Sequence, residues 1–97
     1  CSSLTTIKIS KETIEINPNA FSNCTNINEV ILPEGIEILR EKIFENCINL
    51  PGITIPKSVT TINYGVFEGC ENLTIITPEG SYAEIYAQEN DIVYQNN

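Results

Sequence analysis

The sequence predicts an α/β repeat fold in which 23-residue coils stack into a solenoid, with one short strand per coil in a parallel sheet and a helical cap at the C-terminal end. Three observations predict this fold. Cysteine recurs every 23 residues, at Cys1, Cys24, Cys47 and Cys70. Nearly every apolar residue falls into register when the chain is laid out at that period. The register ends near residue 80, where a helix-start pattern follows.

Columns of apolar residues define the repeated core. A single coil has no partner for these side chains, but stacked coils bury each side chain against its copies above and below. We therefore expect one continuous hydrophobic core along the solenoid. The columns are Leu4, Ile27, Leu50 and Leu73; Ile7, Val30, Ile53 and Ile76; Ile9, Leu32 and Ile55; Ile16, Leu39 and Ile62; and Phe21, Phe44 and Phe67.

The strand of each coil is predicted from the segments that begin at Leu4, Ile27 and Leu50. Each segment ends in an alternation of β-branched or other apolar residues with polar ones, which is typical of a short, half-buried strand. Pro33 and Pro56 follow two of these strands, where a missing N–H no longer interrupts the hydrogen-bond ladder. The rest of each coil is expected to be turn or a single helical turn.

The period divides the chain into one domain of coils 1–23, 24–46 and 47–69, a partial coil 70–80 and a cap 81–97. Ser81 and Glu84 form a capping-box pattern that predicts a helix start. Asn90 is the expected left-handed stop, and residues 92–94 are expected to form a last extended segment.

Tyr82, Ile85 and Tyr86 are expected to share one face of the cap helix, at spacings i, i+3 and i+4. No equivalent cap precedes the first coil. We therefore expect further coils before Cys1, and an open N-terminal edge that favours edge-to-edge self-association.

Composition excludes several functions. The formal charge of −8 disfavours nucleic acid as a partner, because an acidic surface repels phosphate backbones. No apolar run is long enough for a membrane-spanning helix, so membrane insertion is not expected. The chain has no His, no glycine-rich phosphate loop and no Ser motif beside a base, so we predict neither catalysis nor a cofactor.

The cysteine column and the acidic residues each have alternatives. A line of cysteines without His does not suit a tetrahedral zinc site, so we predict no metal site. Adjacent cysteines either pair as disulfides or remain a ladder of buried thiols. Glutamates 34, 37, 41 and 45 form either a solvated acidic ridge or, if helical, a cation-binding face. Asn26, Asn49 and Asn72 are interpreted as turn residues whose amides bond across coils.

The pattern Cys-x-x-Leu-x-x-Ile-x-Ile-Pro, followed by Val-x-x-Ile and then by an apolar residue and Phe, resembles the BspA-like class of leucine-rich repeats. Residues 47–67, CINLPGITIPKSVTTINYGVF, carry the resemblance most completely, and it extends over about residues 1–77. The 23-residue period also lies within the roughly 20 to 29 residues of leucine-rich repeats. The resemblance implies a leucine-rich-repeat solenoid in an extracellular or cell-surface protein that adheres to host or other cell-surface proteins.

The strand face opposite the core is the candidate ligand-contact surface, because solenoids commonly bind through such faces. This strip is nearly neutral, whereas most glutamates fall on the returning loops. The hypothesis is a protein-binding or adhesion module; the alternatives are a structural spacer with an ordinary exposed sheet and, third, an accessory to an enzyme. Because side chains alternate along a strand, the residues expected to face outward are Thr6, Lys8 and Ser10; Glu29, Ile31 and Pro33; Gly52, Thr54 and Pro56; and Ile75 and Thr77.

Overall fold

The computed structural model describes residues 5–97 as a parallel-strand solenoid of about four turns with one short helix near the C-terminal end. A five-stranded parallel sheet has the order β1-β3-β5-β7-β8, and a three-stranded parallel sheet has the order β2-β4-β6. The elements are β1 (Thr6–Lys8), β2 (Glu15–Ile16), β3 (Glu29–Ile31), β4 (Ile38–Leu39), β5 (Gly52–Thr54), β6 (Thr61–Ile62), β7 (Thr74–Thr77), α1 (Tyr82–Glu89) and β8 (Val93–Asn96).

Each of the first three coils contributes one strand to the larger sheet, as predicted, and also a two-residue strand to a second sheet, where the sequence predicted only turns or a helical turn. The second sheet runs through the column of Ile16, Leu39 and Ile62, which the sequence assigned to the core and which is buried. Hydrogen bonds from the backbone N–H groups of the following coil extend this sheet beyond the two-residue strands, as from Glu37 to the Ile14 carbonyl at 2.8 Å. The solenoid is therefore hydrogen-bonded between coils on two sides.

In the described part of the first three coils, the core consists of the expected columns, stacked in register; the column position Leu4 lies outside the described residues. Phe21, Phe44 and Phe67 form a ladder with ring centroids 5.9 Å apart at each step and nearly parallel planes. Tyr86 of α1 closes this ladder with an edge-on contact to Phe67, 6.3 Å between centroids. Alternation along the strands predicted that Pro33 and Pro56 face outward. Both prolines instead pack into the interior.

The register of β7 differs from the prediction by one residue. Ile75, not Ile76, pairs with Ile53 and continues the buried column. One residue separates Leu73 from Ile75, whereas two separate Leu50 from Ile53, so the fourth coil is one residue shorter at this point. Because side chains alternate along a strand, this shift reverses the face that every β7 side chain occupies.

Thr77 consequently takes the core position held by Ile55 in the third coil. Its side chain is completely buried, and its hydroxyl donates a hydrogen bond to the Ile55 carbonyl at 2.9 Å. The same hydroxyl lies 2.7 Å from that of Ser81 at the start of the cap. The polar side chain is tolerated in the core because its hydrogen-bonding capacity is used there.

The cap begins where the sequence predicted. The Ser81 hydroxyl accepts a hydrogen bond from the Glu84 N–H at 3.2 Å. The Glu84 carboxylate reaches back to the N–H of Gly80 at 3.0 Å, one residue before the position that a standard capping box uses. This contact, together with a hydrogen bond from Asn96, lowers the pKa of Glu84; the Asn96 amide is the larger cause.

The prediction of where α1 stops was wrong. Its left-handed stop is Asp91, with φ of 56°, whereas Asn90 has φ of −110°. Its buried residues are Ala83 and Ala87, while Tyr82 and Ile85 are 41% and 49% exposed. The small alanines allow the helix to lie close to the last coil, so that only Tyr86 of the predicted apolar face packs against the core.

Candidate functional site

The outward side of the five-stranded sheet forms a continuous surface, which we call the strand face. Within it, Lys8, Ile31, Thr54, Ile76 and Gln95 form a row, because each is the register partner of the next. The strand face comprises Thr6, Lys8, Glu29, Ile31, Gly52, Thr54, Thr74, Ile76, Val93 and Gln95.

The structure places six of the predicted contact residues on the surface, namely Thr6, Lys8, Ser10, Glu29, Ile31 and Thr54. Ile75 and Thr77 are buried, so their assignment to this surface was wrong. Thr74 and Ile76 take their places because of the one-residue shift in β7. The signal was present in the prolines, since Pro33 and Pro56 are 23 residues apart but Pro78 follows after only 22.

A groove of about 400 Å³ crosses the strand face at Gly52. Gly52 has no side chain, so the surface of the sheet is open at this point of β5. A Cβ atom on Gly52 would lie 3.3 Å from the Thr74 carbonyl oxygen. The groove is bordered by Glu29, Ile31, Pro51, Thr54 and Ile76. Its volume lies near the lower end of the roughly 300 to 1,000 Å³ found for ligand sites, which suits one or two inserted side chains.

The electrostatics of the strand face differ from those of the loops. Among its described residues only Lys8 and Glu29 carry charge, one of each sign. The returning loops carry glutamates 12, 15, 34, 37, 41, 45, 68 and 71. Two of these glutamates form ion pairs, Arg40 with Glu15 at 2.6 Å and Lys42 with Glu45 at 3.8 Å. The stretch from residue 34 to 45 contains β4, so its glutamates do not share a helical face.

The described cysteines offer no activated nucleophile. Cys47 and Cys70 are free thiols that donate to the carbonyls of Phe21 and Phe44, at 3.3 and 3.1 Å. Burial raises the pKa of both thiols, that of Cys70 to about 11. Cys24 is disulfide-bonded, and the predicted position Cys1 lies outside the described residues. The thiol ladder therefore holds for Cys47 and Cys70.

A second concavity, of about 330 Å³, lies between the third coil and the cap; we call it the cap notch. This notch was not predicted from the sequence, because its size depends on the distance between α1 and the loop of the third coil. Within residues 5–97, no cluster of three or more metal-ligating side chains is present and no helix is long and apolar enough to cross a membrane. The cap notch is lined by Ile62, Asn63, Tyr64, Gly65, Phe67, Glu68, Tyr86, Asn90 and Ile92.

Comparison with known proteins supports the repeat assignment. The family model described as "BspA type Leucine rich repeat region (6 copies)" matches residues 1–89, which is most of the chain. No curated protein and no solved structure matches the chain.

Proposed function

Because the chain belongs to the BspA-type leucine-rich-repeat family, whose repeats commonly mediate protein interactions, we propose that it is a binding or adhesion module that contacts its partner protein through the strand face. Proteins of this family are typically surface-exposed or secreted and are typically non-enzymatic. We extend both properties to this chain and propose an extracellular or cell-surface location.

The groove at Gly52 is the observation that carries this proposal. Ile31 is 42% exposed beside it although it lies in the middle of a sheet. The groove floor is backbone held by parallel pairing on both sides of β5. Such a site requires little ordering when a partner binds, which lowers the entropic cost of association.

The chemistry of the strand face indicates the kind of partner. Apolar and hydroxyl side chains alternate along the row from Ile31 to Ile76, and only one charge of each sign is present among the described residues of this face. The complementary surface is a protein surface with a protruding apolar side chain and polar groups around it. The acidic loops repel strongly acidic partners and disfavour nucleic acid.

The variant Thr54→Glu tests the proposal. It places a charge beside the groove, whereas Thr60→Glu adds the same charge at an exposed residue outside the strand face. Binding to a panel of purified extracellular-matrix and cell-surface proteins would be measured by biolayer interferometry. We expect Thr54→Glu to weaken capture of a bound protein by about tenfold or more, as at an interface hot spot, and Thr60→Glu to leave it unchanged.

The outcomes separate the hypotheses. Equal losses in both variants, or full binding by Thr54→Glu, would place the contact elsewhere. Absence of binding to every protein in the panel would favour the alternative function, a structural spacer that holds neighbouring domains apart.

A further inference from the structure

The loops that follow the second sheet are joined by a regular row of backbone hydrogen bonds. In the first coil, the N–H groups at positions 19, 21 and 23 donate to the carbonyls of residues 41, 43 and 45, at 3.0, 3.0 and 2.7 Å. In the second coil, those of residues 42, 44 and 46 donate to the carbonyls of residues 64, 66 and 68, at 3.2, 3.0 and 2.7 Å. Each row of three donors is thus covered by the main chain of the following coil.

In the third coil, the same three donors have no acceptor in the part of the chain that the structure describes. The equivalent N–H groups belong to Gly65, Phe67 and Gly69, and none of them has a hydrogen-bond acceptor among residues 5–97. By the register of the two preceding coils, these groups point toward the cap. An unpaired row of this regularity indicates a position prepared for another main-chain segment.

The cap does not fill this position. Instead of a fourth loop, the chain forms α1, which contacts the ladder end through Tyr86 and leaves the cap notch beside Gly65 and Phe67. Ile62, Phe67 and Ile92 give the notch an apolar floor, while Tyr64 stands at its rim with 72% of its surface exposed. The notch therefore combines main-chain donors with apolar contact area.

The charge of the cap notch indicates what kind of segment would bind in it. Glu68 is the charged residue among those lining the notch. Its carboxylate lies 4.0 Å from the position that a Cβ atom on Gly65 would occupy, next to the donor row. A basic side chain on a bound segment would meet it there.

We propose that the cap notch, together with Gly69 next to its lining residue Glu68, binds a peptide segment of a partner protein, whose alternate carbonyls accept from Gly65, Phe67 and Gly69 and whose Lys or Arg pairs with Glu68. The bound segment follows the path that the next coil takes in the preceding rows. This site is separate from the strand face, and it does not depend on the function proposed for that face.

A peptide copied from the chain's own second-coil loop provides the probe. It has the sequence of residues 37–46 with its glutamates replaced by glutamine and both ends capped, so that Arg40 and Lys42 remain as its charged groups. Titration to about 5 mM, a range suited to weak binding, would be followed by ¹H–¹⁵N NMR of the protein. We expect the largest shifts at the amides of Gly65, Phe67 and Gly69, and none from a peptide of scrambled order.

Matched charge reversals complete the test. Glu68→Lys should weaken binding about fivefold or more, as expected for loss of an ion pair, whereas Glu71→Lys, outside the notch, should change it less than about twofold. The strand-face variant Thr54→Glu should bind the probe like the unsubstituted protein, which separates this site from the proposed function. Circular dichroism would verify that each variant is folded.

Four outcomes would overturn the proposal. Shifts confined to the strand face, or no shifts at the highest concentration, would show that the donor row does not accept a peptide. Equal weakening by both charge reversals would show that Glu68 has no specific contact. Shifts of the same amides with protein concentration alone would instead assign the notch to a second copy of the chain.

Discussion

The loops of the solenoid depend on residues that adopt a left-handed backbone at repeated positions. Asn23, Asn46 and Gly69 share one such column, with φ of 60°, 60° and 84°. The Asn46 amide donates to the Asn23 side-chain oxygen at 2.9 Å, so asparagine both tolerates this conformation and bonds between coils. Gly69 has no side chain to continue this row of asparagines. A Cβ atom there would collide with the Asn46 side chain. A side chain at position 69 would therefore have to displace the Asn46 amide as well as adopt a left-handed backbone.

Replacing Gly69 should be more costly than replacing a glycine that has only the conformational requirement. Gly80 has φ of 80°, but nothing lies within 4 Å of its missing Cβ. We expect Gly80→Ala to lower the free energy of unfolding by about 1 kcal/mol and Gly69→Ala by about 2 to 4 kcal/mol, since the latter adds a steric clash. Urea unfolding would measure both. Equal losses would mean that the Asn46 side chain moves aside without cost.

Polar groups within the core columns are also explained one residue at a time. The thiols of Cys47 and Cys70 each donate to a backbone carbonyl 26 residues earlier, and the hydroxyl of Thr77 donates to one 22 residues earlier. Each group thus replaces a purely apolar side chain without leaving an unpaired donor in the interior. Asn49 bonds across coils as predicted, through its amide to the Thr25 carbonyl at 2.7 Å.

At the scale of the element, β7 shows where periodicity fails as a predictor. Apolar residues occupy both Ile75 and Ile76, so hydrophobicity alone does not decide which of them faces the core. The fixed period chose Ile76, whereas the shorter connection after Leu73 selects Ile75. Strands β1, β3 and β5 were predictable because each has an apolar residue in its middle. Its neighbours in the strand are polar residues or glycine, and Ile31 is the exception. The strand face was therefore predictable in its first three strands and not in the fourth.

The register of β7 can be tested with a matched pair of substitutions. Ile75→Ala removes a completely buried side chain and should lower the free energy of unfolding by about 2 to 4 kcal/mol. Ile76→Ala affects a half-buried side chain on the strand face and should cost less than about 1 kcal/mol. Chemical denaturation of both variants would decide the register. The reverse order of losses would support the strict 23-residue alignment instead.

The second sheet and the cap mark the other limits of prediction. The column of Ile16, Leu39 and Ile62 indicated burial, but two-residue strands are too short to show an alternation. The start of α1 was predictable because capping depends on local chemistry. Its buried face and the cap notch depend on how closely the helix approaches the last coil, which no local pattern specifies.

At the scale of the whole molecule, charge is distributed unevenly. Thirteen acidic and five basic residues give −8, and the glutamates cluster on loops that stack above one another. Glu45 and Glu68, for example, occupy the same position in successive coils. Two ion pairs among residues 5–97 offset only part of this repulsion. The strand face is left nearly neutral while the rest of the surface is acidic.

Salt should therefore stabilise the protein. Raising NaCl from about 0.02 to 0.3 M shortens the Debye length to below about 6 Å and screens the repulsion between loops. We expect the thermal midpoint to rise by a few degrees, with a smaller rise in the variant Glu45→Gln/Glu68→Gln. Thermal unfolding followed by circular dichroism would measure this. A midpoint that falls with salt would show that ion pairs outweigh repulsion.

The order of strands in the larger sheet also determines how the molecule responds to tension. Because β8 is the outermost strand beyond β7, a pull on its end along the stacking axis acts across the strands and loads their hydrogen bonds one after another. The chain would peel away from this end, β8 first and then α1, before the stacked phenylalanines bear any load. Under such a load the solenoid would lengthen gradually from the cap, while its earlier coils stayed folded.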